Sequence, residues 1–171
     1  MLKNSLCYFL ALFFIVSCNN KSTEDKPLRW LEDIRYNKSL DKSDFKICNG
    51  EENVKQYFNL GDNIEIEGDK PYINSHFTNG FNSEKMPKES GLIRIRFIVN
   101  CEGQTDRFRL LESDLQYGSK KFNRKISDTV MALSKSLTGW KQKINSEGNP
   151  ADYYQYLVFR IVNGEIIKIL P

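Results

Sequence analysis

The sequence predicts an α+β fold: an antiparallel sheet laid down as hairpin, helix, long strand and short strand, with one amphipathic helix on one face and an N-terminal elaboration. Three observations predict it. Ile93, Ile95, Phe97 and Val99 alternate with Arg94, Arg96, Ile98 and Asn100, and Asn100-Cys101-Glu102-Gly103 follows as a turn. Phe122, Ile126, Val130, Leu133 and Leu137 recur at steps of three and four, one apolar stripe on a helix. Tyr153, Gln155, Leu157, Phe159 and Ile161 alternate with Tyr154, Tyr156, Val158, Arg160 and Val162, and Asn163-Gly164 is a two-residue hairpin signal into a last strand over 165–170.

Taken in order, the chain begins with Lys3, an apolar run over 6–16 and then Ser17-Cys18. The run is short for a membrane span and suits a secretory leader. Ile15-Val16-Ser17-Cys18 resembles the bacterial lipobox, in which cleavage precedes a cysteine that becomes lipidated. That resemblance implies a signal peptide over 1–17, a triacylated Cys18 and an envelope lipoprotein facing the periplasm, with the outer membrane as the default address. Residues 18–27 are polar and read as a flexible tether.

Residues 28–83 read as an elaboration packed on the core. Leu28, Leu31 and Ile34 have helix-like spacing, and Phe45 and Ile47 alternate as a short strand does. Val54, Tyr57, Phe58 and Leu60 suggest one or two helical turns, and Ile64 and Ile66 an exposed strand. Ile73, Phe77 and Phe81 share i, i+4 spacing, with Asn74 or Ser75 as cap.

The pattern sharpens over 84–171. In the hairpin, an unbroken register would set Phe97 beside Arg107 and Ile95 beside Arg109, burying arginines at high cost. One extra residue near Asp106-Arg107, a β-bulge, pairs Phe97 with Phe108 and Ile95 with Leu110 instead. Ser119 is the expected N-cap of the following helix, Gly139 its stop, Trp140 a ring folded back on the core, and 144–150 a loop.

Cys7 leaves with the leader and Cys18 carries lipid, so Cys48 and Cys101 remain. Two thiols in an oxidising periplasm suggest a disulfide, and two unpaired cysteines are the alternative. The pairing requires Cα atoms within about 7 Å, which sequence does not fix.

Residues 84–171 resemble the C-terminal domain of TonB-type proteins. Met86-Pro87 stands where that family has a proline before its first strand. Gly91 and IRIRFIVNCEGQ look like its glycine, alternating strand and turn. Leu110-Leu111-Glu112-Ser113, Trp140 and Gly148-Asn149-Pro150 match its strand end, its tryptophan and the glycine-x-proline before its long strand. The resemblance implies the scaffold, binding of an extended partner peptide by strand addition, and a link to TonB-dependent transport. The chain departs from the family in three ways. A lipobox stands where TonB has a membrane helix, no long proline-rich spacer appears, and Gln142 and Lys143 replace a proline and alanine. A lipid anchor draws on no proton gradient, so energy transduction is not expected.

Chemistry for catalysis is sparse, and the expectation is a non-enzymatic protein without cofactor or metal. His76 is the one histidine, beside Ser75, and adjacent helical residues face different ways. Glu65, Glu67 and Asp69 read as a solvated edge before a metal site, and Glu112 and Asp114 as a helix-entry or salt-bridge feature before an acid/base dyad. No glycine-rich phosphate loop appears, and a net charge of +3 is too mild to imply nucleic acid. The candidate site is a sheet face that collects Arg94, Arg96, Arg109, Tyr154, Tyr156 and Arg160. Arginine forks suit carboxylate or phosphate and stack on tyrosine. The expected function is a protein-binding module of the envelope, acting through the last strand's edge or this face on an envelope protein or extended peptide such as a TonB-dependent receptor. The alternative is a binder of an anionic glycan, lipid head group or small anion. The face is equally open to being covered by residues 28–83, with Glu32, Asp33, Glu65 and Glu67 as partners.

Overall fold

The structure is a computed structural model, and it describes residues 33–56 and 64–170. The leader, Cys18, the tether, Glu32 and the apolar residues at 57, 58 and 60 lie outside the described residues. The elements are β1 (Lys55–Gln56), α1 (Asp69–Gly80), β2 (Gly91–Val99), β3 (Thr105–Ser113), α2 (Arg124–Ser136), β4 (Lys143–Ile144), β5 (Pro150–Ala151), β6 (Tyr153–Val162) and β7 (Glu165–Leu170), with short 3-10 turns at Glu51–Asn53 and Ser83–Lys85. The fold is α+β, with a mostly antiparallel sheet. β2 lies between β3 and β6. The outer side of β6 is shared: β1 pairs in parallel with Tyr153 and Tyr154, and β7 pairs antiparallel with residues from Val158 to Val162.

The hairpin register follows from where arginines can go. Ile95 pairs with Leu110 and Arg96 with Arg109, then the ladder slips so that Ile98 pairs with Asp106. Arg107 absorbs the extra residue at φ 58, a left-handed conformation unusual outside glycine. The slip brings Phe108 onto the core face, where its ring stacks on Phe97 at 4.7 Å. The bulge therefore lies where an arginine would otherwise have entered the apolar core, and Arg107 is buried instead against the Glu51 carboxylate.

The main core fills one side of the sheet. Ile93, Ile95, Phe97 and Val99 of β2 meet Leu157, Phe159 and Ile161 of β6 under both helices. α2 presents Ile126 and Val130, and Leu137 follows at its end. Asn123, not Ser119, caps it: the Asn123 side-chain Oδ1 accepts from the Lys125 N–H at 3.0 Å, four residues further along the chain. Ser119 instead bridges Ser113. Trp140 folds back onto Phe97, ring centroids 5.1 Å apart.

The elaboration differs more from expectation. α1 is present, but its N-cap is Gly68 at φ 77, and neither Asn74 nor Ser75 caps it. Phe81 stands just past its end. Ile64 and Ile66 are buried, not an exposed strand, and Ile66 bridges Trp140. With Ile73 and Phe77 they belong to the main core. Residues 33–40 form no helix, and Phe45 and Ile47 lie in no strand. Val54 precedes β1 and not a helical turn. The 144–150 loop is the turn of a small hairpin, β4 with β5.

The turn into β7 shows why one glycine is required. Asn163 and Gly164 both have positive φ, 49 and 76. A Cβ at Gly164 would stand 2.5 Å from the Pro87 carbonyl oxygen, so the turn is packed as well as tight.

Candidate functional site

The arginine–tyrosine face divides into a covered end and an open end. Residues 33–56 lie over the covered end as a strap. Asp41 accepts from both Nη atoms of Arg109, each at 2.7 Å, and Arg109 also donates to the Arg35 carbonyl at 2.8 Å. Glu51 takes both Nη atoms of Arg107, which donates further to the Ile34 carbonyl. Arg96 lies 4.0 Å over the Tyr154 ring and donates to the Gln56 side chain at 2.8 Å. The Tyr154 hydroxyl accepts from the Ile34 N–H at 3.3 Å and donates to Asp33 at 3.4 Å. Beneath this polar layer a small second core joins Ile34, Val54, Ile98 and Tyr154, with Phe45 and Ile47 against it.

Of the expected covering partners, Asp33 touches Tyr154, while Glu65 pairs with Lys143 and Glu67 lies beside Gly139. Sequence reasoning missed Asp41, Glu51 and Arg107. Only Arg107 left a signal, as the residue that the bulge had to move. At the open end, Arg94 lies 5.1 Å from the Tyr117 ring, Tyr156 is half-buried and Arg160 is exposed.

The covered end has a pH-dependent tie. Burial pushes the Asp41 carboxyl up, but the Arg109 hydrogen bonds, the Asn37 N–H and the charges of Arg109 and Arg107 outweigh it and hold the group below its usual range. A folded pKa below the unfolded one stabilises the fold above the unfolded value and loses that contribution as pH falls. Protection of the amides over 33–42, measured against their intrinsic exchange rate at each pH, is therefore expected to fall below about pH 4. In Asp41→Asn that acid-induced step should be lost. Burial raises the Tyr154 hydroxyl and lowers Arg96, as it does for any group that would carry charge there.

Cys48 and Cys101 are joined, their Cα atoms 6.1 Å apart. The bond ties the strap to the hairpin turn. Under it lies Asp152, fully buried, which accepts from the backbone N–H groups of Cys48, Asn49 and Cys101 and from the Asn49 amide, at 2.9 to 3.1 Å. The two sulfurs and the Asp152 carboxylate lie within 4.8 Å of one another, but bonded sulfurs are not thiolate ligands.

The acidic residues weighed as metal or acid/base candidates do not converge. Asp69 accepts from the Ile64 N–H, which leads the causes holding its carboxyl low, while Glu65 turns to Lys143. Glu112 is buried and accepts from the Ser127 hydroxyl and the Phe122 N–H, whereas Asp114 closes its own turn by accepting from Gln116 and Gly118. His76 places Nε2 3.0 Å from the Leu133 carbonyl and 3.0 Å from the Ser136 hydroxyl. A carbonyl only accepts, so Nε2 carries its hydrogen and is a donor there, not a base toward Ser136. Ser75 donates to the Tyr72 carbonyl instead.

The other candidate is the outer edge of β7. Among the described residues β7 pairs only with β6. Ile167 is 53 % exposed and Leu170 39 %. A groove of about 600 Å³ runs between this strand and α1, with Phe77, Thr78 and Phe81 on one wall and Ile166, Ile167 and Ile169 on the other. Among the described residues no helix is long and apolar enough to cross a membrane. Comparison of the chain with protein-family models, with curated proteins and with solved structures returns no match.

Proposed function

We propose that the protein is a non-enzymatic envelope lipoprotein, anchored through Cys18, that binds an extended segment of a partner protein by strand addition on the outer edge of β7. The observation that carries this reading is the β7 edge beside the α1 groove. An added strand gains main-chain hydrogen bonds from the edge and pockets for alternate side chains from the groove. The resemblance to TonB C-terminal domains supports strand addition as the mode of binding and suggests a component of TonB-dependent transport as partner.

A photoreactive residue at position 167, in intact cells, tests this. Reproducible capture of one envelope protein from position 167, but not from exposed Ser146 on the β4–β5 turn, is the expected result. Equal capture from both positions would sink the reading.

A second reading rests on the open end of the sheet face. Arg160 and Lys168 are direct cross-strand partners, and like charges so placed repel. An anionic glycan or head group there would relieve them. Salt-sensitive binding of a polyanionic glycan such as hyaluronate, lost in Arg160→Ala with Lys168→Ala, is its expected signature, and unchanged binding would remove it.

A further inference from the structure

The strap binds its face in the manner of a ligand. Asp41 and Glu51 each offer a carboxylate to an arginine fork, and the carbonyls of Arg35 and Ile34 take one more N–H from the same two arginines. Each arginine thus takes a carboxylate and, from a separate stretch of the strap, a backbone carbonyl, and a carboxylate with carbonyl acceptors is the set that an acidic peptide offers to Arg107 and Arg109. Little regular structure holds the strap. It contains one 3-10 turn, Glu51–Asn53, and the two-residue β1. Its apolar anchors are Ile34 and Val54, with Phe45 and Ile47 only half-buried. Its covalent hold on the hairpin is the bond between Cys48, which is exposed, and Cys101, which is half-buried.

We propose that residues 33–56 are a redox-latched internal competitor: Asp41 and Glu51 occupy the arginine forks that an acidic segment of a protein partner takes when the Cys48–Cys101 bond is reduced. The latch opens by exchange with a dithiol reductant. One thiolate of the reductant attacks a sulfur of the pair, most accessibly at Cys48, and releases Cys101 as thiolate. The reductant's second thiol then displaces Cys48. Two electrons and two protons pass to the protein, which gains two thiols, and the reductant becomes a disulfide. While the bond stands, the strap carboxylates compete at a high effective concentration. Once it is broken, the strap lifts from its ion pairs while β2, β3 and β6 keep their own core. This surface is separate from the β7 edge, so it stands or falls independently of the strand-addition reading.

The test uses the full chain, oxidised and dithiothreitol-reduced, with a fluorescent Asp/Glu-rich peptide as probe, and follows amide exchange in parallel. Reduction is expected to tighten peptide binding at least tenfold, with exchange quickening over 33–56 and not over β2 or β6. Arg107→Ala with Arg109→Ala should abolish the gain. In the oxidised protein, Asp41→Asn with Glu51→Gln should also tighten binding, several-fold, because it weakens the competitor without touching the bond. Equal affinity in both redox states would overturn the proposal. So would loss of protection throughout β2 and β6 on reduction, since the bond would then hold the whole fold and not the strap alone.

Discussion

Phe97→Ala is expected to lower stability by about 3–5 kcal/mol, the range for emptying a buried aromatic site. Domain stabilities run to about 5–15 kcal/mol, so a large share would go. Phe97 is fully buried, stacks on Phe108 at 4.7 Å and meets the edge of Trp140 at 5.1 Å. It also justifies the bulge. Holding Arg107 at φ 58 costs about 1–3 kcal/mol, and the Phe97–Phe108 contact is what that conformation makes possible. Phe97→Leu keeps most of the volume and should cost about 1.5 kcal/mol or less. Urea unfolding checks both. The midpoint should fall with the slope unchanged if the fold is kept, and a loss for alanine no larger than for leucine would contradict this account of the bulge.

The hairpin, its bulge, α2 and the Asn163-Gly164 turn were legible in the sequence because each is decided by local pattern. Alternation chooses the buried face, and an unpaired arginine in the apolar core is expensive enough to force the register. The stripe from Phe122 to Leu137 shows a helix, although it begins two residues before α2 and ends one after. The cap was misread because Ser119 and Asn123 are both good capping residues, and the choice is made by where Phe122 must enter the core.

The strap was not legible, for a different reason. It has almost no regular structure, so no period marks it. Asp41 meets Arg109 across 68 residues and Glu51 meets Arg107 across 56, and neither carboxylate differs in sequence from a solvated one. The arginines themselves were visible as a set on one face. Their division into a covered and an open end depends on contacts made by a segment that carries no pattern of its own. α1 lies between these cases: the i, i+4 spacing gave the helix, while its start at Gly68 answers to backbone conformation and to the buried Ile64 and Ile66 before it.

Asp152→Ala is expected to cost about 3 kcal/mol, although Asp152 belongs to no motif. Its carboxylate satisfies three backbone N–H groups and one side-chain amide, and a buried donor left without a partner costs about 1–3 kcal/mol. The sum is not expected in full, because Cys48 and Asn49 are exposed and water can reach part of the vacated site. Asp152→Asn keeps one acceptor but turns an NH2 toward groups that are themselves donors, so about 2 kcal/mol should still be lost. Removing the disulfide by Cys48→Ser with Cys101→Ser should cost about 4 kcal/mol on the loop-entropy scale, for cysteines 53 residues apart. The two changes should not add. The bond and the carboxylate hold the same two cysteine backbones, so the triple variant should fall short of the sum by about 1 kcal/mol or more. Calorimetry or urea unfolding of the four proteins reads that coupling. Strict additivity would mean that Asp152 organises β6 alone and plays no part in seating the strap.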